Sequence, residues 1–271
     1  IREVTPRPGH ADLLGVLKTD TDDCRNILER ASARETAARV AASGIPRELL
    51  AELGVEVFSY VTSIGPVSLH EDDPATAACS YKPLDIELSE VRCPDPKTTE
   101  AMKEAIDEAK RNRDTLGGTF RVVVRGLVQG LGGYAAGTDR LTSQLGAAVL
   151  SIPAMKGVEF GMGFEASRRP GSQVHDEIAL DPKAGFTRKS NNAGGLEGGM
   201  TTGLPLIITA AMKPIATLMQ PLGTVDIDTL EPAEASKERS DVCAVPAAAV
   251  VAEAEVAFVL ADAYLRKFGC D

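Results

Sequence analysis

The 271-residue chain is 44% hydrophobic and 25% charged, a composition that excludes an intrinsically disordered protein and fits one large domain. Lys+Arg 29 against Asp+Glu 39 leaves a net charge of −10, so no basic footprint exists for DNA or RNA, and with Trp 0, Tyr 4 and Phe 7 a base-stacking platform is disfavoured. The longest apolar run, 242–252, stops at Glu253 and Glu255, far short of a bilayer span, and the opening residues carry no signal-peptide pattern. Cys24, Cys79, Cys93, Cys243 and Cys270 form no C-x-x-C pair. They point to a reducing, cytoplasmic setting with neither zinc nor a disulfide framework.

In chain order, Asp20, Thr21 and Asp22 offer N-caps for a helix over 22–42, and Gly44 followed by Pro46 offers its stop. The β-rich stretch 55–64 predicts a strand closed by Gly65-Pro66. The acidic, Pro-containing stretch 66–94 reads as a surface excursion. Asp95 caps a second helix with Pro96 as its first residue, with Met102, Ala105, Ile106 and Ala109 on one face and Arg111 and Arg113 in its last turn. A strand is expected over 119–128, a helix over 141–152 and a strand over 204–212. The last helix, 246–268, is apolar almost all round and should be buried. No linker divides the chain, so 1–271 is expected to be a single domain. Its fold class is expected to be α+β, with antiparallel β-sheets sandwiching a helical core.

Against the acidic background some loci are basic. Arg30 and Arg34 stand one helical turn apart, which suits either an anion or a solvated face compensated by Glu29 and Glu35. Residues 191–203 hold five glycines, whose backbone can turn its amides toward a ligand or simply form turns. The stretch is neither a P-loop nor a strand–G-x-G-x-x-G–helix unit, and it leads into a strand, so the usual ATP and NAD folds are disfavoured. His70 lies among acids and reads as solvated. His175 has no second ligand at metal spacing, so no metal site is expected. His10 sits in a Pro-Gly turn beside Arg7, and its side chain suits proton transfer near neutrality.

Six segments read together resemble the chorismate synthase family. They are Arg7-Pro8-Gly9-His10-Ala11-Asp12, Glu29-Arg30-Ala31-Ser32-Ala33-Arg34-Glu35-Thr36, the run 168–177, the run 191–200, Lys213-Pro214-Ile215-Ala216-Thr217, and Arg239-Ser240-Asp241-Val242-Cys243-Ala244-Val245-Pro246. The resemblance implies a lyase that converts 5-enolpyruvylshikimate-3-phosphate to chorismate and phosphate by anti-1,4-elimination. It implies reduced FMN as cofactor, with NADPH needed only if the protein reduces its own flavin. Arg30, Ala31, Ser32, Pro153, Ala154, Gly198, Lys213, Pro214, Ile215, Ala216, Thr217 and Arg239 fall on its flavin-contact positions. Arg7, Arg34 and Arg239 fall on positions that grip the substrate anions. His10 matches an acid–base histidine, and Asp241 matches an aspartate that relays a proton at the flavin, although by itself it could also cap the last helix. A homotetramer is implied as well.

The family also carries Gly-Glu-Ser-His-Gly and Gly-Arg-Gly-Gly-Arg segments ahead of the histidine loop, and neither occurs in this sequence. The expectation is therefore a chain that folds, holds flavin weakly and turns over slowly by itself. The alternative is a non-catalytic flavin-binding or assembly module. An unrelated phosphosugar or nucleotide binder would be preferred only if FMN failed to bind.

Overall fold

The computed structural model describes residues 2–31, 34–183 and 185–269. The first expected strand forms as Glu56–Ile64, rich in β-branched and aromatic residues, and buries Phe58, Tyr60, Val61 and Ile64. Gly65 takes a φ of 52°, the left-handed conformation that lets the chain reverse into Val67–Ser68. Gly118–Arg125 pairs with Glu56–Ile64 on one side and with Leu206–Met212 on the other. Met155–Phe160 pairs with the outer side of Leu206–Met212. The resulting sheet runs Val67–Ser68, Glu56–Ile64, Gly118–Arg125, Leu206–Met212, Met155–Phe160, with every neighbour antiparallel. Three two-stranded antiparallel ribbons accompany it: Ile178–Asp181 with Gly185–Arg188, Leu196–Glu197 with Met200–Thr201, and Gly223–Val225 with Pro232–Glu234. The fold is α+β and antiparallel, as the alternation of elements predicted.

The last helix, Val245–Phe268, lies against Glu56–Ile64 and Gly118–Arg125 and also meets the helices Arg34–Ala42, Gly44–Glu52 and Leu141–Leu150. Ala248, Ala249, Ala252, Ala257 and Ala261 are buried along it, and such small side chains let several elements close in on one helix. No helix is long and apolar enough to cross a membrane among the described residues. The buried glutamate of this helix, Glu253, is fully engaged. Its Oε1 accepts from Ser59 Oγ at 2.6 Å and Arg92 Nη2 at 2.9 Å, and its Oε2 accepts from Arg47 Nη1 at 2.8 Å.

Several local expectations need correction. The single helix expected over 22–42 is two among the described residues, Cys24–Arg30 and Arg34–Ala42. Asp23 caps the first by accepting from Arg25 N at 2.9 Å, and Ala31 ends it. Arg30 and Arg34 therefore do not share one helical face. Gly44 and Pro46 do not stop a helix; they open another, Gly44–Glu52, in whose first turn the missing proline N–H has no intrahelical partner to lose. The helix Pro96–Arg111 is capped as expected, Asp95 accepting from Thr98 N at 2.7 Å, but Arg113 lies beyond it at a φ of 58°. The stretch 66–94 is more than a surface excursion. Its short helices Pro74–Ser80 and Pro83–Glu87 bury Ala78 and Ile86 against Phe58, Tyr60, Val123 and Ile207, covering the second face of the sheet. One apolar anchor per short helix is enough for that, and an acidic composition hides it.

Candidate functional site

At the end of the sheet where Leu206–Met212 finishes, a cavity of 650 Å³ opens, a size that suits a small ligand. The loop before the helix Asp12–Thr19 forms one wall. Gly9 turns it with a φ of 76°, and Lys213 Nζ donates to the Gly9 carbonyl. Arg7 and Asp12 are almost completely buried beneath it, joined by Arg7 Nε to Asp12 Oδ2 at 2.8 Å. Arg7 Nη1 donates to Thr217 Oγ1 at 2.6 Å, across 210 residues of sequence. On the opposite wall the carbonyl of Ala154, at a φ of 68°, accepts from Lys213 N at 3.0 Å, so the turn after Leu141–Leu150 fixes the start of the 213–217 run. Leu116 N donates to the Val242 carbonyl at 2.9 Å, which holds Arg239 and Asp241 at the same end of the sheet.

The cavity thus brings together Arg7, His10, Ala31, Pro153, Ala154, Lys213, Ile215, Ala216, Thr217, Arg239 and Asp241. Pro214 is exposed and does not line it. Arg30 and Arg34 lie in the adjoining helices without lining it, and Ser32 falls outside the described residues. Asp241 does not cap the last helix, because Ala244 occupies the N-cap. Leu28 and Met212, which no motif pointed out, supply apolar wall. Burial, with Lys156 nearby, pushes the Lys213 ammonium below its ordinary pKa. An apolar chamber bordered by His10, Lys213, Arg239 and Asp241 suits a flat ring system that carries an anionic group.

Residues 2–265 match the sequence family described as chorismate synthase. The chorismate synthase of Geobacillus thermodenitrificans is 54% identical over 276 residues, a span that takes in 100% of this chain and 69% of that protein. Chorismate synthase 2 of Bacillus anthracis is 54% identical over 273 residues, again 100% of this chain and 69% of that protein. The chain belongs to the chorismate synthase family. A solved structure titled "Crystal Structure of Chorismate Synthase" superposes with a TM-score of 0.82 at 44% identity, covering 96% of this chain and 71% of that one. Chorismate synthases are carbon–oxygen lyases.

Two motif segments that carry the family resemblance lie elsewhere. All five glycines of 191–203 have positive φ, from 58° at Gly198 to 90° at Gly199. Their turns are closed internally: Asn192 N and Ala193 N donate to Asp176, and Gly195 N donates to Asn191 Oδ1 at 2.8 Å. The run 168–177 therefore holds the start of the Gly-rich loop through Asp176, which takes up the amides of Asn192 and Ala193. Gly198 sits in a hairpin at the Leu206 end of Leu206–Met212, whereas the cavity is at the Met212 end. The strand between those two ends has seven residues, about 20 Å. Within this chain Gly198 does not line the 650 Å³ cavity, and its contact with flavin is carried by the resemblance alone.

A second cavity, of 540 Å³, opens on the other side of the sheet beside Arg121, Arg169, Asn191 and Asn192. Its cations are already matched. Arg121 Nη1 donates to Tyr60 OH at 2.7 Å and to Glu71, and Arg169 Nε donates to Glu165 at 3.0 Å. Asp72, Asp73 and Glu159 also line it, a poor setting for a phosphate. Among the described residues no cluster of His, Cys, Asp and Glu is arranged to hold a metal. His70 and His175 are exposed.

Burial alone would raise the Asp12 pKa, but hydrogen bonds from His10 and Arg7 outweigh it and hold the carboxyl well below the usual carboxylate range. A depressed folded-state value stabilises the fold above the unfolded pKa of about 3.9 and is lost as pH falls toward the folded value. Asp12→Asn should therefore lie furthest below the native protein in stability near neutrality. The gap should narrow in urea titrations repeated at pH about 4 and lower; a gap that widens on acidification would contradict this assignment.

Proposed function

We propose that this chain binds reduced FMN and 5-enolpyruvylshikimate-3-phosphate in the 650 Å³ cavity and eliminates phosphate from the latter to give chorismate. The observation that carries the reading is the convergence of the 7–11, 153–154, 213–217 and 239–241 segments, distant in sequence, on one chamber. The residues fit the cofactor: Ala154, Met212, Ile215 and Ala216 offer apolar wall for a flat ring, and Lys213 and Arg239 offer cations for a phosphate. When bound, reduced FMN supplies an electron-rich ring beside the substrate carbon–hydrogen and carbon–oxygen bonds that break. Arg239, exposed on the chamber's wall, binds anionic oxygens by charge-assisted hydrogen bonds. His10 gives or takes a proton at the chamber wall, and the Asp241 carboxylate receives one on its way to solvent. Arg7 is committed to Asp12 and Thr217, so its part is to hold the histidine loop to the 213–217 run, with any grip on substrate secondary. Ala31 borders the site from the end of the helix Cys24–Arg30, and Arg30, Ser32 and Arg34 are assigned to it on resemblance alone. NADPH enters only where the protein reduces its own flavin.

Anaerobic titration of the full-length protein with FMN and substrate, followed by an assay for chorismate, tests the reading directly; no flavin binding and no chorismate would refute it. Arg239→Ala should weaken FMN or substrate binding by about 1.5–3 kcal/mol, roughly 10- to 150-fold. Unchanged affinities for both would remove Arg239 from the site. As a cytoplasmic biosynthetic enzyme the protein is further proposed to work as a homotetramer whose domain spans 1–271. Light scattering should then give four times the chain mass, and a monomer would contradict it.

A further inference from the structure

Asp12 is 1% exposed, and both of its carboxylate oxygens are engaged. Oδ2 accepts from Arg7 N at 3.1 Å and Arg7 Nε at 2.8 Å. Oδ1 accepts from Arg7 Nη2 at 3.1 Å and lies 2.6 Å from His10 Nδ1. An ionised carboxylate carries no proton, and the hydrogen bonds that hold this one below the usual range keep it ionised. The proton in the short contact to His10 therefore belongs to Nδ1. Arg7 Nη2 lies 3.0 Å from Nδ1 and 3.4 Å from Nε2; a guanidinium only donates, so it cannot bond the Nδ1 that already carries its proton, and the ring's one lone pair is at Nε2. From these contacts we infer that Asp12 is a positioning residue: it fixes His10 as the Nδ1–H tautomer and leaves Nε2 as the nitrogen that exchanges a proton with the ligand.

Anchoring Arg7 does not by itself require this arrangement, since Oδ2 alone receives two of its donors. The second oxygen is what reaches His10. The loop is pinned independently from its other side by Lys213 Nζ on the Gly9 carbonyl. Proton bookkeeping is simple: the neutral ring takes a proton at Nε2 and returns it from the same atom, while Nδ1–H stays on Asp12. Replacement by asparagine gives a specific expectation. Asparagine has one oxygen, and Arg7 N and Nε, both donors, hold it at the Oδ2 position. Its amide N–H₂ then faces His10, which must present a lone pair at Nδ1 and move its proton to Nε2.

The inference rests on His10 as the acid–base group, so the test reads the tautomer separately from activity. Histidine-¹⁵N NMR of the full-length protein, with His10 signals assigned by their loss in His10→Gln, reports which ring nitrogen is protonated above the titration range. Expected is Nδ1–H in the native protein and Nε2–H in Asp12→Asn, whose kcat should fall at least 100-fold with FMN affinity within a few-fold. Asp12→Glu, which keeps a carboxylate, should retain Nδ1–H and recover part of the rate. The native measurement needs no variant, so it decides the matter even if Asp12→Asn fails to fold. A native Nε2–H ring overturns the positioning inference whatever the activity. Nδ1–H with an undiminished kcat in Asp12→Asn overturns the acid–base reading of His10, and the inference with it.

Discussion

Alanine in place of His10 or of Asp241 is expected to lower turnover of the full-length protein by roughly 100- to 10,000-fold, the range for a positioned acid or base. Neither change should unfold the chain. His10→Ala leaves Asp12 with Arg7 Nε, Arg7 Nη2 and Arg7 N as donors, so the buried carboxylate stays paired. Asp241 is exposed and caps nothing, the last helix beginning behind Ala244. Flavin affinity should therefore survive within a few-fold while kcat collapses. Loss of affinity with kcat preserved would make these residues binding groups, and turnover within a few-fold of the native rate would take them out of the chemistry.

The largest effect on stability is expected far from the cavity. Glu253→Ala should cost about 3–5 kcal/mol in urea denaturation, because removing one member of a buried ion pair strands the other. Arg92, nearly buried and at a φ of 58°, would keep only Ser59 and the more exposed Glu87 as partners, with its Nε already unpartnered. Arg47 is more exposed, so Arg47→Ala should cost about 1 kcal/mol or less. A loss under about 1 kcal/mol for Glu253→Ala would show that water replaces the carboxylate and that the last helix is not held through it.

The strands and the last helix could be read from the sequence because their signals are local: β-rich composition in Glu56–Ile64, closed by Gly65-Pro66, and alanine- and valine-rich faces all round Val245–Phe268. Asp95 acts as a cap for the same reason, since it needs only an amide three residues ahead, whereas the first helix is capped by Asp23 and not by Asp20, Thr21 or Asp22 as expected. The break after Arg30 carried no glycine or proline to announce it, and Gly44-Pro46 announced a stop that a first helical turn tolerates. The Gly-rich run could be read as a turn or a ligand loop because positive φ serves both, and its pairing with Asp176 is a contact between segments that no local signal announces. For the site, the motifs supplied residue types and the antiparallel sheet supplied their meeting place. Asp12 stood in the quoted histidine motif without a role, since nothing in a lone aspartate tells that it is buried against an arginine and a histidine.

The central claim is that flavin occupies the cavity at the Met212 end of the sheet. A crystal structure of the protein with FMN tests it most directly. The flavin ring is expected between His10 and Asp241, against Ala154 and Ile215, with its phosphate on Lys213 or Arg239. Flavin seated instead in the 540 Å³ cavity beside Arg121 and Asn192, or held at the Gly198 hairpin, would contradict it.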